Sequence, residues 1–139
     1  MSWLIYAILS AVFAALVVIL GKAGISQLDS TLATTARSVV MAVFLVATAL
    51  ALGKASLLSS INSKALVYII FSGVAGALYW LFYFYALKNG PASGVAALDR
   101  LSVVFVLVLA LIFLGEKLTL KSGLGARLAA AGAILMAIK

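Results

Sequence analysis

The chain has 139 residues, of which 67% are hydrophobic and only 9% charged, with a mean hydropathy of +1.33. A water-soluble domain of this length carries about a quarter charged residues, so the composition excludes one and reads as an integral membrane protein. Cysteine and histidine are both absent, which removes disulfides, thiol chemistry, zinc sites and imidazole bases, and no cofactor or metal site is expected. The net charge of +7 comes from Lys and Arg residues placed singly beside apolar runs. That spacing suits topology signals and headgroup anchors, and no nucleic-acid partner is expected.

In chain order, residues 3–20 form an apolar run long enough to span a bilayer, with Trp3 and Tyr6 where an interfacial aromatic belt would hold them. The first Lys, at position 22, follows this core, whereas a signal peptide has its basic residues before it, so the segment is expected to be retained. Ala7, Ala11 and Ala15 make a ridge of small residues of the kind that permits close helix contact in lipid. A loop over 21–30 follows, with Asp29 or Ser30 as the N-cap of a second span, 31–52. Arg37 lies ~10 Å along that span at 1.5 Å per residue. It either snorkels to the interface or serves a cavity or an ion pair.

After a polar loop over 53–63, the third span, 65–87, packs Tyr79, Trp80, Phe82, Tyr83, Phe84 and Tyr85 into its second half. An aromatic belt accounts for those nearest Lys88, but Tyr79 and Trp80 lie ~12 to 14 Å before it. Tyr79 and Tyr83 share a face at i,i+4, and buried hydroxyl and indole N–H groups need partners. That face therefore lines a wet cavity or a helix contact. Asn89-Gly90-Pro91 reads as a helix stop followed by a start, opening a fourth span, 91–114. Thr119 is placed to cap a fifth, 120–138, in which Gly125, Ala129, Ala133 and Ala137 form a second small-residue ridge for packing against another helix or another chain. Arg127 could pair with Glu116.

The fourth span carries the sharpest anomaly, Asp99 and Arg100 side by side within a continuous helix. Each costs ~2.5 to 3.5 kcal/mol at a bilayer centre, together ~5 to 7, while the eleven Leu, Ile, Phe and Val residues between 103 and 114 return roughly 3 to 7. Insertion is close to balanced, and charge retained at that cost points to a pathway or a pairing partner. Asp99 lies at a depth of ~13 Å, near that of Arg37, so the two are expected to form an ion pair. Arg100 points about 100° away around the helix.

The motifs WLFYFYAL (80–87), GPAS (90–93), LDRLS (98–102) and LGEK (114–117) resemble those of the EamA-type domain of the drug/metabolite transporter superfamily, and the likeness extends over nearly the whole chain. In most relatives this five-helix unit occurs twice, as ten spans in two inverted halves. The resemblance implies an all-α membrane domain, 1–139, that is half of such an inverted-repeat fold. It also implies secondary transport, in many relatives export, of amino acids, metabolites or drugs. It places Arg37, Trp80, Tyr83, Asp99 and Arg100 near the cavity that takes the small-molecule substrate, where the shared face read above adds Tyr79, and the fifth helix in packing. The smaller four-helix relatives couple export to protons through an acid in the first helix, and residues 1–21 contain none.

An enzyme is not expected, because only three acids and the hydroxyls remain to act as base or nucleophile. The alternative to a transporter is an accessory or assembly subunit, or a lipid-translocating partner. A single five-helix unit cannot enclose a cavity open alternately to two sides, so an inverted, antiparallel homodimer working by alternating access is expected. The orientation signal suits that arrangement. Lys54, Lys64, Lys117, Lys121 and Arg127 fall toward the N-terminal side, and Lys22, Arg37, Lys88, Arg100 and Lys139 toward the other. With no excess of positive charge on either side, both orientations can insert into a prokaryotic cytoplasmic (inner) membrane.

Overall fold

Every regular element in the computed structural model is helical; it describes residues 2–138, so Lys139, counted above for orientation, lies outside it. In order these are α1 (Ser2–Ile25), α2 (Ser30–Ala51), a 3₁₀ segment (Lys54–Ser60), α3 (Ser63–Asn89), α4 (Ala92–Asp99), α5 (Ser102–Leu109), a π-helical turn (Ala110–Leu114) and α6 (Leu120–Ala137). No strand occurs among the described residues. Five stretches are long and apolar enough to cross a membrane: Trp3–Ile25, Ser30–Ala51, Ser63–Asn89, Ala92–Leu114 and Leu120–Ala137. Most large apolar side chains lie on the surface, and Ile25 and Leu87 are the largest that are fully buried among the described residues. In water such a surface would aggregate; in lipid it is the solvated face.

Helix ends follow the local chemistry. Asp29 is the N-cap of α2, its Oδ1 accepting from the backbone N–H groups of Thr31 at 2.9 Å and Leu32 at 3.0 Å. Thr119 caps α6 through a reciprocal capping box, Ser122 N–H to Thr119 Oγ1 at 3.2 Å and Thr119 N–H to Ser122 Oγ at 3.1 Å. Pro91 occupies the N-cap position of α4, so the helix begins at Ala92. α1 runs to Ile25 rather than stopping at residue 20, because Gly21 and Gly24 weaken a helix without removing a backbone donor. The loop expected over 21–30 shrinks accordingly, and Lys22 becomes a helical residue.

The fourth span is not the continuous helix expected from its sequence. α4 stops at Asp99, Arg100 and Leu101 form a turn, and α5 resumes at Ser102. Through the break the backbone tightens to i→i+3 bonds: Arg100 N–H to Ala97 O at 3.0 Å, Leu101 N–H to Leu98 O at 2.9 Å, and Val103 N–H to Arg100 O at 3.1 Å. No Pro or Gly causes this. The two charged side chains lie at the break itself, and a mid-helix 3₁₀ stretch is the form that a strained or hinge-like segment takes. The span then loosens into the π turn and ends on Gly115 at φ 65°, with Glu116 N–H bonded back to Ala110 O at 3.2 Å.

The chain divides into two compact units, residues 1–20 with 89–139 and residues 21–88. In the first, α6 packs against α4 and α5. Small residues line the approach: Gly94, Ala97, Ala126 and Ala133 are buried, and a Cβ added at Gly94 would crowd Pro91 Cγ at 3.2 Å while meeting the Met136 carbonyl oxygen at an ordinary 3.9 Å. Of the α6 ridge, Ala133 is buried, Ala129 and Ala137 are half-buried, and Gly125 is exposed. Glu116 and Arg127 line two neighbouring shallow grooves at the start of α6. In the second unit the buried residues are Ile25, Ser30, Thr34, Tyr83, Phe84 and Leu87. Gly21 gives the closest fit there, since a Cβ would stand 3.2 Å from Phe84 Cζ and 3.4 Å from Leu87 Cδ2 and those side chains would have to give by a few tenths of an ångström.

Candidate functional site

Within the unit of residues 21–88, one face of α2 carries Ser30, Thr34, Arg37 and Ser38 at helical spacing, and Ser30 and Thr34 are buried. These hydroxyls serve the helix itself. Thr34 Oγ1 donates to Ser30 O and Ser38 Oγ to Thr34 O, both at 2.8 Å. Such bonding removes the cost of a hydroxyl in an apolar setting. Arg37 is the one residue of the group whose charge its own helix cannot satisfy.

Its guanidinium sits over the aromatic rings of α3. Arg37 Cζ is 3.7 Å from the Trp80 ring centroid and 5.4 Å from that of Phe84. The rings beneath are braced by one another: Trp80 meets Tyr79 at 4.9 Å, Tyr83 at 5.7 Å and Phe84 at 6.0 Å, all near edge-to-face, and Tyr79 meets Tyr83 at 5.6 Å. Tyr83 and Phe84 are buried, Trp80 is half-buried and Tyr79 is open on one side. The aromatic run of α3 thus divides by depth. Its buried members hold the platform, and Tyr79 and Trp80 form the accessible edge.

The energetics of this contact are incomplete. Arg37 Nη1 is buried and has no hydrogen-bond partner. A buried donor left unmatched costs about 1–3 kcal/mol, and more when it is charged. Cation–π stacking returns ~0.5 to 2. Stacking uses the face of the guanidinium and leaves the in-plane N–H donors available, so it cannot take the place of the missing acceptor.

Two lysines that read as topology signals have structural partners in the same unit. Lys22 Nζ donates to Leu87 O at 2.6 Å and Lys88 O at 3.3 Å, and Lys88 Nζ donates to Leu28 O at 2.8 Å. For Lys22 the acceptors are the last carbonyls of α3, which lack intrahelical donors and carry the negative end of its dipole, whereas Leu28 O lies in the turn between α1 and α2. The positions of the two lysines in the last turns of α1 and α3 were visible in the sequence; the partners were not. Asp29 is held below the usual carboxylate range, first by the Leu32 N–H and then by the Thr31 N–H and the nearby Lys88 charge.

Of the residues singled out from the sequence, Arg37, Tyr79, Trp80 and Tyr83 come together in this cluster. Phe84 joins them as a second ring beneath the guanidinium, a role that the i,i+4 spacing from Trp80 could have signalled. Asp99 and Arg100 belong to the other unit, where Asp99 is half-buried at the end of α4 and Arg100 is exposed at the break. Among the described residues no group of three or more acidic side chains could hold a metal ion.

Comparison with known proteins bears on what such a site serves. No solved structure matches the chain. It is 43% identical over 137 residues to a protein of Sinorhizobium sp. named as an uncharacterized transporter in the cobO 3′ region, covering 99% of this chain and 97% of that one. It is also 32% identical over 59 residues to a pseudopaline exporter of Pseudomonas aeruginosa, an alignment that takes in 42% of this chain but 21% of the exporter. The model of the EamA-like transporter family matches residues 1–138. With five apolar spans and a polar, aromatic-walled cluster within them, the chain belongs to the EamA-like transporter family.

Proposed function

We propose that this chain is a secondary active exporter of small metabolites, amino acids or drugs in a prokaryotic cytoplasmic membrane, working by alternating access as an inverted homodimer. Family membership carries the coarser statement, that it is a membrane transporter of small molecules. The observation that carries the finer one is the Arg37 guanidinium, stacked on Trp80 inside a spanning segment with a buried donor unmatched. An apolar helix keeps such a group where it meets a solute, because packing alone would be served better by Leu or Met. Arg37, Tyr79, Trp80 and Tyr83 are the proposed solute contacts. Asp99 and Arg100, at the break in the fourth span, are the proposed charges of the moving part. Discontinuous helices are where transporters commonly place their sites. The limited likeness to a pseudopaline exporter supports outward transport.

The inverted homodimer rests on the single five-helix unit and on the balance of flanking charge. The relative from Sinorhizobium is of nearly the same length. The test is flux. Purified protein in vesicles, given a pH or Na⁺ gradient and a panel of cationic, zwitterionic, anionic and aromatic solutes, is expected to move at least one class in a gradient-dependent manner. No flux with any solute, together with a stable heteromeric partner, would assign the chain to an accessory subunit instead.

A further inference from the structure

We propose that Arg37, held over the Trp80 ring, anchors an oxyanion group, a carboxylate or a phosphate, on the transported solute. The inference rests on the transporter reading above and names the chemistry its solute must present.

Within the unit of residues 21–88, few groups can act as the acceptor of that guanidinium. The donor that needs an acceptor is Arg37 Nη1, buried and unpartnered. The only acid in that part of the sequence is Asp29. Its carboxylate is exposed, accepts from Thr31 and Leu32 at the start of α2, and lies ~12 Å along the helix from Arg37. The hydroxyls nearest on the same face, Thr34 and Ser38, point their protons at carbonyls one turn back. The other cations nearby, Lys22 and Lys88, are engaged with backbone carbonyls, so they neither satisfy nor compete for the same ligand.

The geometry selects the ligand further. A guanidinium offers its N–H groups only in its own plane, and a fork of co-planar donors matches two oxygens on one centre. Carboxylates and phosphates have that form; amides and ammonium groups do not. Trp80, half-buried under this guanidinium, meets Tyr79, which is open on one side, so the rest of the solute meets an aromatic wall. An anionic lipid headgroup presents the same oxyanion chemistry, and the experiment separates the two sources.

The chain has two tryptophans, so a Trp3→Phe background leaves Trp80, the ring under Arg37, as the only indole reporter. The detergent-purified full chain is titrated with acetate, benzoate, phenylalanine and glutamate, each against its amide, and with inorganic phosphate, following Trp80 emission. A saturable change with at least one oxyanion that its neutral counterpart does not reproduce is expected. Arg37→Gln is expected to weaken that binding by ~10-fold or more, and Arg37→Lys, which keeps the charge but loses the fork, by an intermediate factor.

Equal responses to acids and amides overturn the proposal. So does the absence of any response, or an affinity unchanged in Arg37→Gln protein that elutes like the wild type. If Arg37→Gln does not fold, Arg37→Lys is decisive, because an unchanged affinity in it removes the fork. A response confined to phosphatidylglycerol vesicles, absent with phosphatidylcholine and with soluble oxyanions, overturns the assignment to a solute. Flux keeps the two readings apart: oxyanion binding without transport sinks the transporter reading alone, and cation flux untouched by Arg37→Gln sinks this one alone.

Discussion

Arg37 and Trp80 show how one residue's role is decided by its neighbour. On its own helix Arg37 is an expensive charge; over an indole it becomes an oriented donor. Trp80→Ala is therefore expected to weaken apparent solute affinity by the worth of a cation–π contact, about 0.5–2 kcal/mol or roughly 2- to 30-fold, at near-normal yield. Unchanged affinity with collapsed expression would assign Trp80 to packing. Asp99→Asn keeps the side chain's volume and removes its charge, so transport should suffer more than folding. Equal losses of yield and of flux would assign Asp99 to folding instead. Asp29 acts differently. Its carboxyl is lowered from 3.8 in the folded chain by the Leu32 and Thr31 N–H groups and by Lys88, so its charge adds stability above pH 3.8 that is lost as the pH falls through the folded value. Asp29→Asn should thus be less stable than wild type at neutral pH and approach it in acid, as followed by thermal melts in detergent.

At the scale of the element, the fourth span is the most irregular, with a 3₁₀ break at Arg100–Leu101 and a π turn at Ala110–Leu114 before a left-handed glycine. Three departures from α geometry in one span concentrate the backbone's freedom where the charges are. Gly115→Ala tests the last of them. An L side chain at φ 65° costs about 1 kcal/mol, so a small fall in melting temperature is expected, with flux altered only if this end of the span moves in the transport cycle. An equal melting temperature would show that the chain relaxes out of the left-handed region. α6 is regular by contrast. Its buried residues, Ala126 and Ala133, are two turns apart, and the helix packs on α4 and α5 of its own chain.

At the scale of the whole molecule, the odd number of spans sends the two ends of the unit to opposite membrane faces, and the flanking charge favours neither. Reporter fusions at the C-terminus are expected to be active on both sides of the membrane. Moving one Lys across should bias the population toward one side. Activity on one side only, unmoved by that change, would exclude a dual-topology dimer.

Membrane insertion, the number of spans and most helix ends were legible in the sequence, because they depend on local quantities: apolar run length, a cap such as Asp29 or Thr119, a stop such as Gly90-Pro91. Even the aromatic face of α3 could be read from i,i+3 and i,i+4 spacing. Three features needed the tertiary structure. The platform under Arg37 depends on which turn of α3 lies against α2, and helical periodicity sets faces but not the register between helices. The carbonyl partners of Lys22 and Lys88 depend on where two helix ends meet. The break at Arg100 has no Pro or Gly to announce it, and it shows only in the i→i+3 bonds of the folded backbone.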